Sequence, residues 1–387
     1  MPQRGLRVGR YQLSEGCLNP DPIGYIDVDR PVERTIEGQG AAPCRGPGTS
    51  QETPLARRWR GGGPFPQTPD RRPIVWLRSN FVSQASTLKV SVLPGDFGAV
   101  AVLGMTPSMA SDVTVQQALR SALAVHAVLC LRQSSALDDD GLRAFAMAFG
   151  PIKDPIGRTK EGGTLRYSDE RQIVDAGFVL TEELRAQLGG ISFGGLDPQR
   201  PGLFETFHTD DSFTERPAAA TVLNARELPK NGGGPTWFLD MRAAYRSLEP
   251  DVRQRLTGLR ALNRYNNGGA FPPRIAAEGP FEALVDVVQP IVRAHPVTGE
   301  PALYLDLDRA VSIEGMEDTE GRELLRFLQQ HAEEAGPTYA HGWQEHDVLV
   351  WDNASVQHRA SGDFAVGEPR NFWRYMIEGP APKPFVA

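Results

Sequence analysis

The pattern of apolar and polar positions changes near Gly150. Before it, apolar residues recur at helical spacing over residues 113–128, and Asp138 to Asp140 put acidic side chains at the start of a second helix, where the helix dipole favours them. This second helix is expected to end at Gly150. Residues 88–92 alternate as a strand does, and residues 129–131 form a short apolar run typical of a buried strand. This part of the chain is therefore predicted to mix helices with strands.

Beyond Gly150, short apolar runs recur between turns that are rich in glycine and proline. These runs lie at 219–223, 236–239, 291–294, 302–305, 347–351 and 372–377. Helices are predicted at about 240–248 and 319–334, and the second of them carries an apolar stripe. Many short strands with long, varied connections predict a mainly β fold with flanking helices, arranged as an antiparallel sandwich or jelly roll.

The first 75 residues differ from the rest of the chain. They contain 11 proline and 11 glycine residues and show no sustained periodicity, so we expect loop or disorder there. Two interpretations stay open, a loosely ordered extension or an upstream start that the working protein does not need. Residues 1–75 are therefore predicted to be an extension, and residues 88–380 the folded domain.

Composition narrows the classes of partner. Among 387 residues, 40% are hydrophobic and 23% charged, and the net charge of −7 offers no basic face for nucleic acid. No run approaches the ~18 apolar residues of a membrane span, and the first thirty residues lack a secretory apolar stretch. Three scattered cysteines suit a reducing compartment. We expect a cytoplasmic protein that acts on a small molecule, with a homo-oligomer left open.

A candidate metal site begins at His208 and Asp210. Residues two apart on a strand share a face, so this imidazole and this carboxylate can both point at one ion. With a third ligand they would form a facial triad of two histidines and one carboxylate, which leaves three positions of an octahedron open. The tripeptide alone is a weak signal. Of the other histidines, His126 and His331 fall in predicted helices, and His341 and His346 in a polar turn where we expect solvated or capping roles.

His358 is the favoured third ligand, because it follows an apolar strand that runs into a turn at Asn353. Further along, Arg370, Phe372 and Arg374 share one face if their segment is a strand. Arginines that point inward beside a metal are costly unless they meet anions, and their planar fork binds carboxylate well. The alternative is a pair of exposed arginines on an edge strand.

Taken in order, these pieces resemble the taurine dioxygenase / 2,4-dichlorophenoxyacetate dioxygenase family, over roughly residues 88–379. The motifs that carry the resemblance are His208-Thr-Asp210, Gly232-Gly-Gly-Pro-Thr236, His295-Pro-Val-Thr-Gly299, Trp351-Asp-Asn353 with His358, and Arg370-x3-Arg374. The segments 240–245, 313–316 and 320–325 are more similar to the phenoxyacetate branch than to the taurine branch of the family.

The resemblance implies a double-stranded β-helix (a jelly roll) and an oxygenase that uses Fe(II), 2-oxoglutarate and O2. It implies that His208, Asp210 and His358 bind the iron, and that Arg370 and Thr236 bind the distal carboxylate of 2-oxoglutarate. Arg374 would face the anionic group of the substrate or the co-substrate. The expected reaction converts 2-oxoglutarate to succinate and CO2 while a substrate C–H bond is hydroxylated. A halogenase is not expected, because it needs the carboxylate position vacant and Asp210 fills it.

Three departures from the family bear on the substrate. Phe207 and Phe204 stand where members usually carry tryptophan and asparagine, which predicts a more apolar pocket that these two residues line. The glycine motif is one residue longer than usual, and residues 266–274 fall in a variable lid. We expect an aryloxyalkanoate-like carboxylate, with an alkyl sulfonate, alkyl sulfate or amino-acid-derived metabolite as the alternative. The alternative classes are a cupin-type metalloenzyme that is not an oxygenase and a non-catalytic binding protein.

Overall fold

The structure is a computed structural model that describes residues 89–133, 135–153, 165–167, 174–176, 178–179, 181, 206–264 and 286–386. The predicted extension at 1–75, Phe204 and the lid segment 266–274 lie outside these residues. No helix in the described part of the chain is both long and apolar enough to cross a membrane.

Five α-helices are present in the described residues. They are α1 (Val113–His126), α2 (Asp139–Phe149), α3 (Met241–Ser247), α4 (Pro250–Leu256) and α5 (Asp318–Ala335). A short 3-10 helix, Met109–Ser111, precedes α1. Asp112 caps α1 and Asp138 caps α2 through side-chain bonds to backbone N–H groups, which explains why both helices begin where the acidic residues stand.

The strands are short, as the sequence predicts. They are β1 (Lys89–Val92), β2 (Val100–Leu103), β3 (Val128–Arg132), β4 (Leu165–Tyr167), β5 (Val174–Ala176), β6 (Phe178–Val179), β7 (Ala220–Glu227), β8 (Thr236–Asp240), β9 (Arg260–Asn263), β10 (Val287–Pro290), β11 (Val292–Ala294), β12 (Pro301–Leu303), β13 (Ala310–Ile313), β14 (Thr338–His341), β15 (Val348–Asp352), β16 (Val356–Ala360), β17 (Pro369–Ile377) and β18 (Lys383–Pro384).

One large sheet and three small sheets result. The large sheet has nine strands in the order β1-β2-β3-β15-β7-β17-β5-β4, with β6 also paired to β17. The small sheets are β10-β9-β13, β12-β11-β18 and β14-β8-β16. Pairing is antiparallel throughout the described strands except between β2 and β3. The observed architecture is thus mixed β-sheet with several helices.

Three apolar clusters form the core between the helices and the sheets. The first packs α1 and α2 on one face of the large sheet, with Leu119 and Phe145 against Val222 and Tyr375. A second lies around α3 and α5, whose Leu324, Leu325 and Leu328 form the predicted stripe. The third joins the large sheet to the β14-β8-β16 sheet, and there Phe238 lies 5.6 Å from Trp351 between ring centroids. The large sheet and the β14-β8-β16 sheet therefore face each other across the third cluster.

Candidate metal centre and anion site

His208 and His358 are cross-strand partners. They form an isolated antiparallel bridge, in which each backbone N–H donates to the other residue's carbonyl at 3.0 and 2.8 Å. Their rings are 4.4 Å apart between centroids. The ring Nδ1 of His208 lies 3.0 Å from the carbonyl of Thr206, so Nδ1 carries the proton and Nε2 is the nitrogen that can coordinate a metal. The strand β16 thus brings the two predicted imidazole ligands together.

Asp210 completes the cluster from the same segment as His208. The ligand atoms of His208, Asp210 and His358 all lie within 4.8 Å of one another, and Asp210 Oδ2 is 3.7 Å from Nε2 of His358. Thr221 donates its hydroxyl hydrogen to Asp210 Oδ2 at 2.6 Å, and its own oxygen accepts from Asn353 Nδ2 at 3.0 Å. The carboxylate is therefore oriented by a chain of buried hydrogen bonds.

Electrostatics hold Asp210 and His358 in the forms that bind cations. Burial lowers the pKa of His358 to about 3, so its imidazole is neutral at physiological pH. Burial acts to raise the pKa of Asp210, but His358, Arg374 and His208, together with the Thr221 hydrogen bond, bring it below its ordinary value. A charged carboxylate beside imidazole nitrogens is a donor set that suits a divalent first-row metal. The residues present therefore fit an Fe(II) ion.

An anion site lies at the junction of β8 and β17. The buried Arg370 donates from Nε to the carbonyl of Gly234 at 2.9 Å and from Nη2 to Thr236 Oγ1 at 3.0 Å. Gly234 has φ +64°, and a Cβ there would lie 3.1 Å from Cδ of Arg370. The glycine run thus lets the backbone approach the guanidinium closely. The predicted pair of Arg370 and Thr236 is in direct contact.

Arg374 lies four residues beyond Arg370 along the same strand, opposite Leu223 of β7. Its Nε is buried, with no hydrogen-bond partner in the described residues. Its positive charge acts to lower the pKa values of Asp210, Asp211 and His358, so the guanidinium lies within electrostatic range of the candidate metal ligands. The side chains of β17 alternate as predicted. The guanidinium of Arg370 stacks on the Phe372 ring at 4.5 Å from its centroid, while Trp373 packs on the opposite side of the sheet.

Comparison with known proteins agrees with this constellation. The model of the family described as "Taurine catabolism dioxygenase TauD, TfdA family" matches residues 89–376. The chain belongs to this family. It is accordingly a 2-oxoglutarate-dependent dioxygenase, and Fe(II) and 2-oxoglutarate are the cofactor and co-substrate typical of the family. Membership favours this class over a cupin-type metalloenzyme or a non-catalytic binding protein.

Individual relatives differ in the substrates their names state. Pentalenolactone F synthase of Streptomyces avermitilis is 30% identical over 285 residues, 70% of this chain and 88% of that protein. The 2,4-dichlorophenoxyacetate dioxygenase of Cupriavidus pinatubonensis is 33% identical over 231 residues, 58% of this chain and 75% of that protein. The crystal structure of AAD-2 in complex with Mn(II) and N-oxalylglycine matches 78% of this chain and all of its own, with 26% identity and a TM-score of 0.58.

The side chain of Phe207 packs in the core of the dioxygenase. It belongs to the second apolar cluster, is 5% exposed, and lies under the guanidinium of Arg359 at 4.3 Å from the ring centroid. Since neighbouring residues of an extended segment point to opposite sides, Phe207 points away from the side that His208 occupies. Its predicted contact with a substrate stays a prediction, and this placement favours a packing role.

Sequence reasoning assigned no role to His295, although it quoted the motif. Nε2 of His295 donates to Asp352 Oδ2 at 2.6 Å, while its Nδ1 accepts from the backbone N–H groups of Val297 and Thr298. Asp352 also accepts from Ser355 Oγ at 2.8 Å. This buried pair braces the turn that leads into β16 and therefore into His358. The motif spacing alone carried no sign of a pairing that spans 57 positions.

A second group of potential ligands is structural. Cys130, His341 and Asp347 also place donor atoms within 4.8 Å of one another. However, Arg132 binds both oxygens of Asp347, at 2.9 and 3.1 Å. Burial and the charge of Asp347 raise the pKa of the Cys130 thiol to about 12, so it stays protonated. The expectation that His341 is solvated or capping is wrong, because this residue ends β14 at 1% exposure and bonds to Asp347 and Tyr339.

Proposed function

We propose that the dioxygenase binds one Fe(II) through His208, Asp210 and His358. The proposal is supported by the 4.8 Å cluster of ligand atoms, by the neutral state of His358 and by the hydrogen bond that orients Asp210. Bound iron supplies the site for O2 and the oxidising power. The role of the chain itself would be to hold the metal through these three side chains.

Replacement of each ligand by alanine tests this assignment. Each variant should lose Mn(II) binding in a calorimetric titration and succinate formation with Fe(II), while its far-UV circular dichroism stays unchanged. His331→Ala is the matched control, because His331 lies in α5 and bonds to Ser247 rather than to the cluster. Full metal affinity in His358→Ala would refute the triad.

The co-substrate is proposed to lie between the metal and the β8–β17 junction. Arg370 and Thr236 together offer a buried cation and a hydroxyl, which suit the distal carboxylate of 2-oxoglutarate. Arg370 is 5% exposed, so a carboxylate bound there would be taken out of water and held by a charge-assisted hydrogen bond. The other end of 2-oxoglutarate would then reach the metal.

For the substrate, we propose a small anionic, partly apolar molecule, with an aryloxyalkanoate-like carboxylate favoured. The observation that supports it is the half-buried Arg374, whose charge acts on Asp210 and His358 and whose Nε has no hydrogen-bond partner in the described part of the chain. Such a guanidinium can bind one carboxylate. Phe204 and Phe207 were the predicted apolar walls; the first lies outside the described residues and the second packs in the core. An alkyl sulfonate, alkyl sulfate or amino-acid-derived metabolite is the alternative, since Arg374 would bind its anion equally.

Coupled succinate release separates these substrates. Phenoxyacetate should exceed taurine and the uncharged phenoxyethanol, and Arg374→Ala should raise the KM for phenoxyacetate more than Arg374→Lys, which keeps the charge. Faster turnover of taurine, or equal turnover of phenoxyethanol, would contradict the proposed substrate class. Because Asp210 is present, we propose hydroxylation rather than halogenation.

The finer fold assignment is also a proposal. We infer a double-stranded β-helix (jelly roll) from the facing large and β14-β8-β16 sheets and from the likeness to AAD-2. The domain bounds 88–380, the dispensable segment 1–75, the cytoplasmic location, the lack of a nucleic-acid partner and the oligomeric state stay predictions.

A further inference from the structure

The hydroxyl of Thr236 receives two hydrogen bonds. Nη2 of Arg370 donates to Oγ1 at 3.0 Å, and the indole Nε1–H of Trp343 donates to the same oxygen at 3.1 Å. Thr236 is 3% exposed. A threonine hydroxyl has two acceptor lone pairs and one hydrogen to donate. Both lone pairs are therefore occupied by protein donors, and only the hydrogen remains for another group.

That hydrogen has no acceptor among the residues that the structure describes. A buried hydroxyl whose donor is unmatched is costly unless something accepts from it. An anion that binds beside Arg370 would supply the missing acceptor. The arrangement accordingly presents the Thr236 hydroxyl and the Arg370 guanidinium as donors. The two oxygens of a carboxylate can accept from both of these groups, whereas a methyl group can accept from neither.

Trp343 is held firmly enough to impose this arrangement. It lies in the connection between β14 and β15, with its ring centroid 4.5 Å from that of Phe372 and 4.8 Å from that of His341, edge-on at 87°. His341 is itself held by the hydroxyl of Tyr339 at 2.8 Å and by Asp347 at 3.2 Å. The buried polar cluster next to the site therefore fixes the direction of the indole N–H.

We propose that Trp343 is a positioning residue for the co-substrate site, which locks the Thr236 hydroxyl as a donor and so selects a 2-oxo acid with a distal carboxylate. This inference rests on the proposed role of Arg370 and Thr236 toward 2-oxoglutarate. Trp343 itself does not touch the co-substrate. It acts by occupying the lone pair of Thr236 through which the hydroxyl could otherwise accept.

The test removes the indole N–H and keeps the ring. Mn(II)-loaded wild type and Trp343→Phe are titrated calorimetrically with N-oxalylglycine, which has the distal carboxylate, and with 2-oxopentanoate, which ends in a methyl group. Trp343→Phe should weaken N-oxalylglycine binding about threefold to tenfold, the range of one net hydrogen bond, and leave 2-oxopentanoate within twofold. Equal weakening of both ligands, or of neither, would overturn the proposal.

A double-mutant cycle with Thr236→Val tests whether Trp343 acts through the Thr236 hydroxyl. If Trp343 acts through the hydroxyl, Trp343→Phe should have no further effect on N-oxalylglycine once Thr236 is valine. An effect that persists in the Thr236→Val background would mean that the indole acts by packing alone, and the proposal would fall. Because Phe could disturb the loop, benzothienylalanine at position 343 is the second variant, since it keeps the bicyclic shape without the N–H.

Arg370→Ala separates this inference from the proposed function. If Arg370→Ala leaves N-oxalylglycine affinity unchanged, the co-substrate site is misplaced and the proposed function fails. If Arg370→Ala weakens binding at least tenfold while Trp343→Phe has no effect, the co-substrate site stands and the role of Trp343 is refuted.

Discussion

The hydroxyl of Thr221 should control the affinity of the metal site. It gives its one hydrogen to Asp210 Oδ2 at 2.6 Å and accepts from Asn353 Nδ2 at 3.0 Å, and Thr221 is fully buried. Thr221→Val keeps the shape of the side chain and suits the strand β7. The substitution removes the hydrogen bond to the carboxylate and leaves the amide of Asn353 without its acceptor.

The magnitude follows from the charge on Asp210. A hydrogen bond to a charged group contributes about 1.5–3 kcal/mol, and a buried donor left without an acceptor costs about 1–3 kcal/mol. Loss of groups that orient metal ligands lowers metal affinity about 10- to 100-fold. We therefore expect Mn(II) or Fe(II) to bind Thr221→Val at least about tenfold more weakly, in an anaerobic calorimetric titration.

Thr209→Val is the matched control. The hydroxyl of Thr209 is also buried and also reaches Asn353, but it donates its one hydrogen to the backbone carbonyl at 3.1 Å and not to the carboxylate of Asp210. Its loss should lower the free energy of unfolding by about 1 kcal/mol in urea denaturation and change metal affinity little. Equal metal affinities in the two variants would refute the argument that Thr221 acts through Asp210.

Three further outcomes are expected. Arg370→Ala should weaken 2-oxoglutarate binding at least about tenfold, because a buried charge-assisted bond is lost, and an unchanged affinity would contradict this role. His295→Ala should lower the free energy of unfolding by about 2–3 kcal/mol in urea at pH 7. Burial would raise the pKa of Asp352, but hydrogen bonds led by that from His295 lower it. The stability that the His295–Asp352 pair contributes is therefore fully present above about pH 4, and it should be lost as acid protonates the folded carboxyl. Deletion of residues 1–75 should leave turnover and Tm unchanged; a lower value of either would show that the extension supports the domain.

The features that the sequence predicted well are those with local causes. Asp138 caps the second helix and Gly150 ends it, as the acidic run and the glycine indicated. Strands β9, β10, β13, β14 and β16 were not predicted, because each has only four or five residues and depends on a partner far along the chain. The fate of His341 was also non-local, since polar neighbours suggested solvent while Asp347 and Tyr339 enclose the ring.

In the candidate site too, only the features with local causes could be predicted from the sequence. His208 and Asp210 could be paired from the sequence, because two residues on one strand face converge by geometry alone. The support around them could not be predicted. Thr221 reaches Asp210 across 11 positions, and Trp343 reaches Thr236 across 107, so neither contact leaves a spacing that sequence patterns reveal.

The quoted motifs therefore act mainly as supports for a few reactive groups. Gly234 leaves room for Arg370, whose Cδ a Cβ would approach to 3.1 Å, and its carbonyl accepts from that guanidinium. Asp352 joins His295 to the turn before His358. Asn353 donates a hydrogen bond to Thr221, which in turn donates to Asp210 and so orients its carboxylate. A site that holds a metal and two anions, as we propose for this one, needs such bracing, because each buried charge is stable only while its partners stay in place. Arg374, the proposed substrate contact, differs from these braced groups, because its buried Nε has no hydrogen-bond partner among the described residues. We infer that specificity is set there.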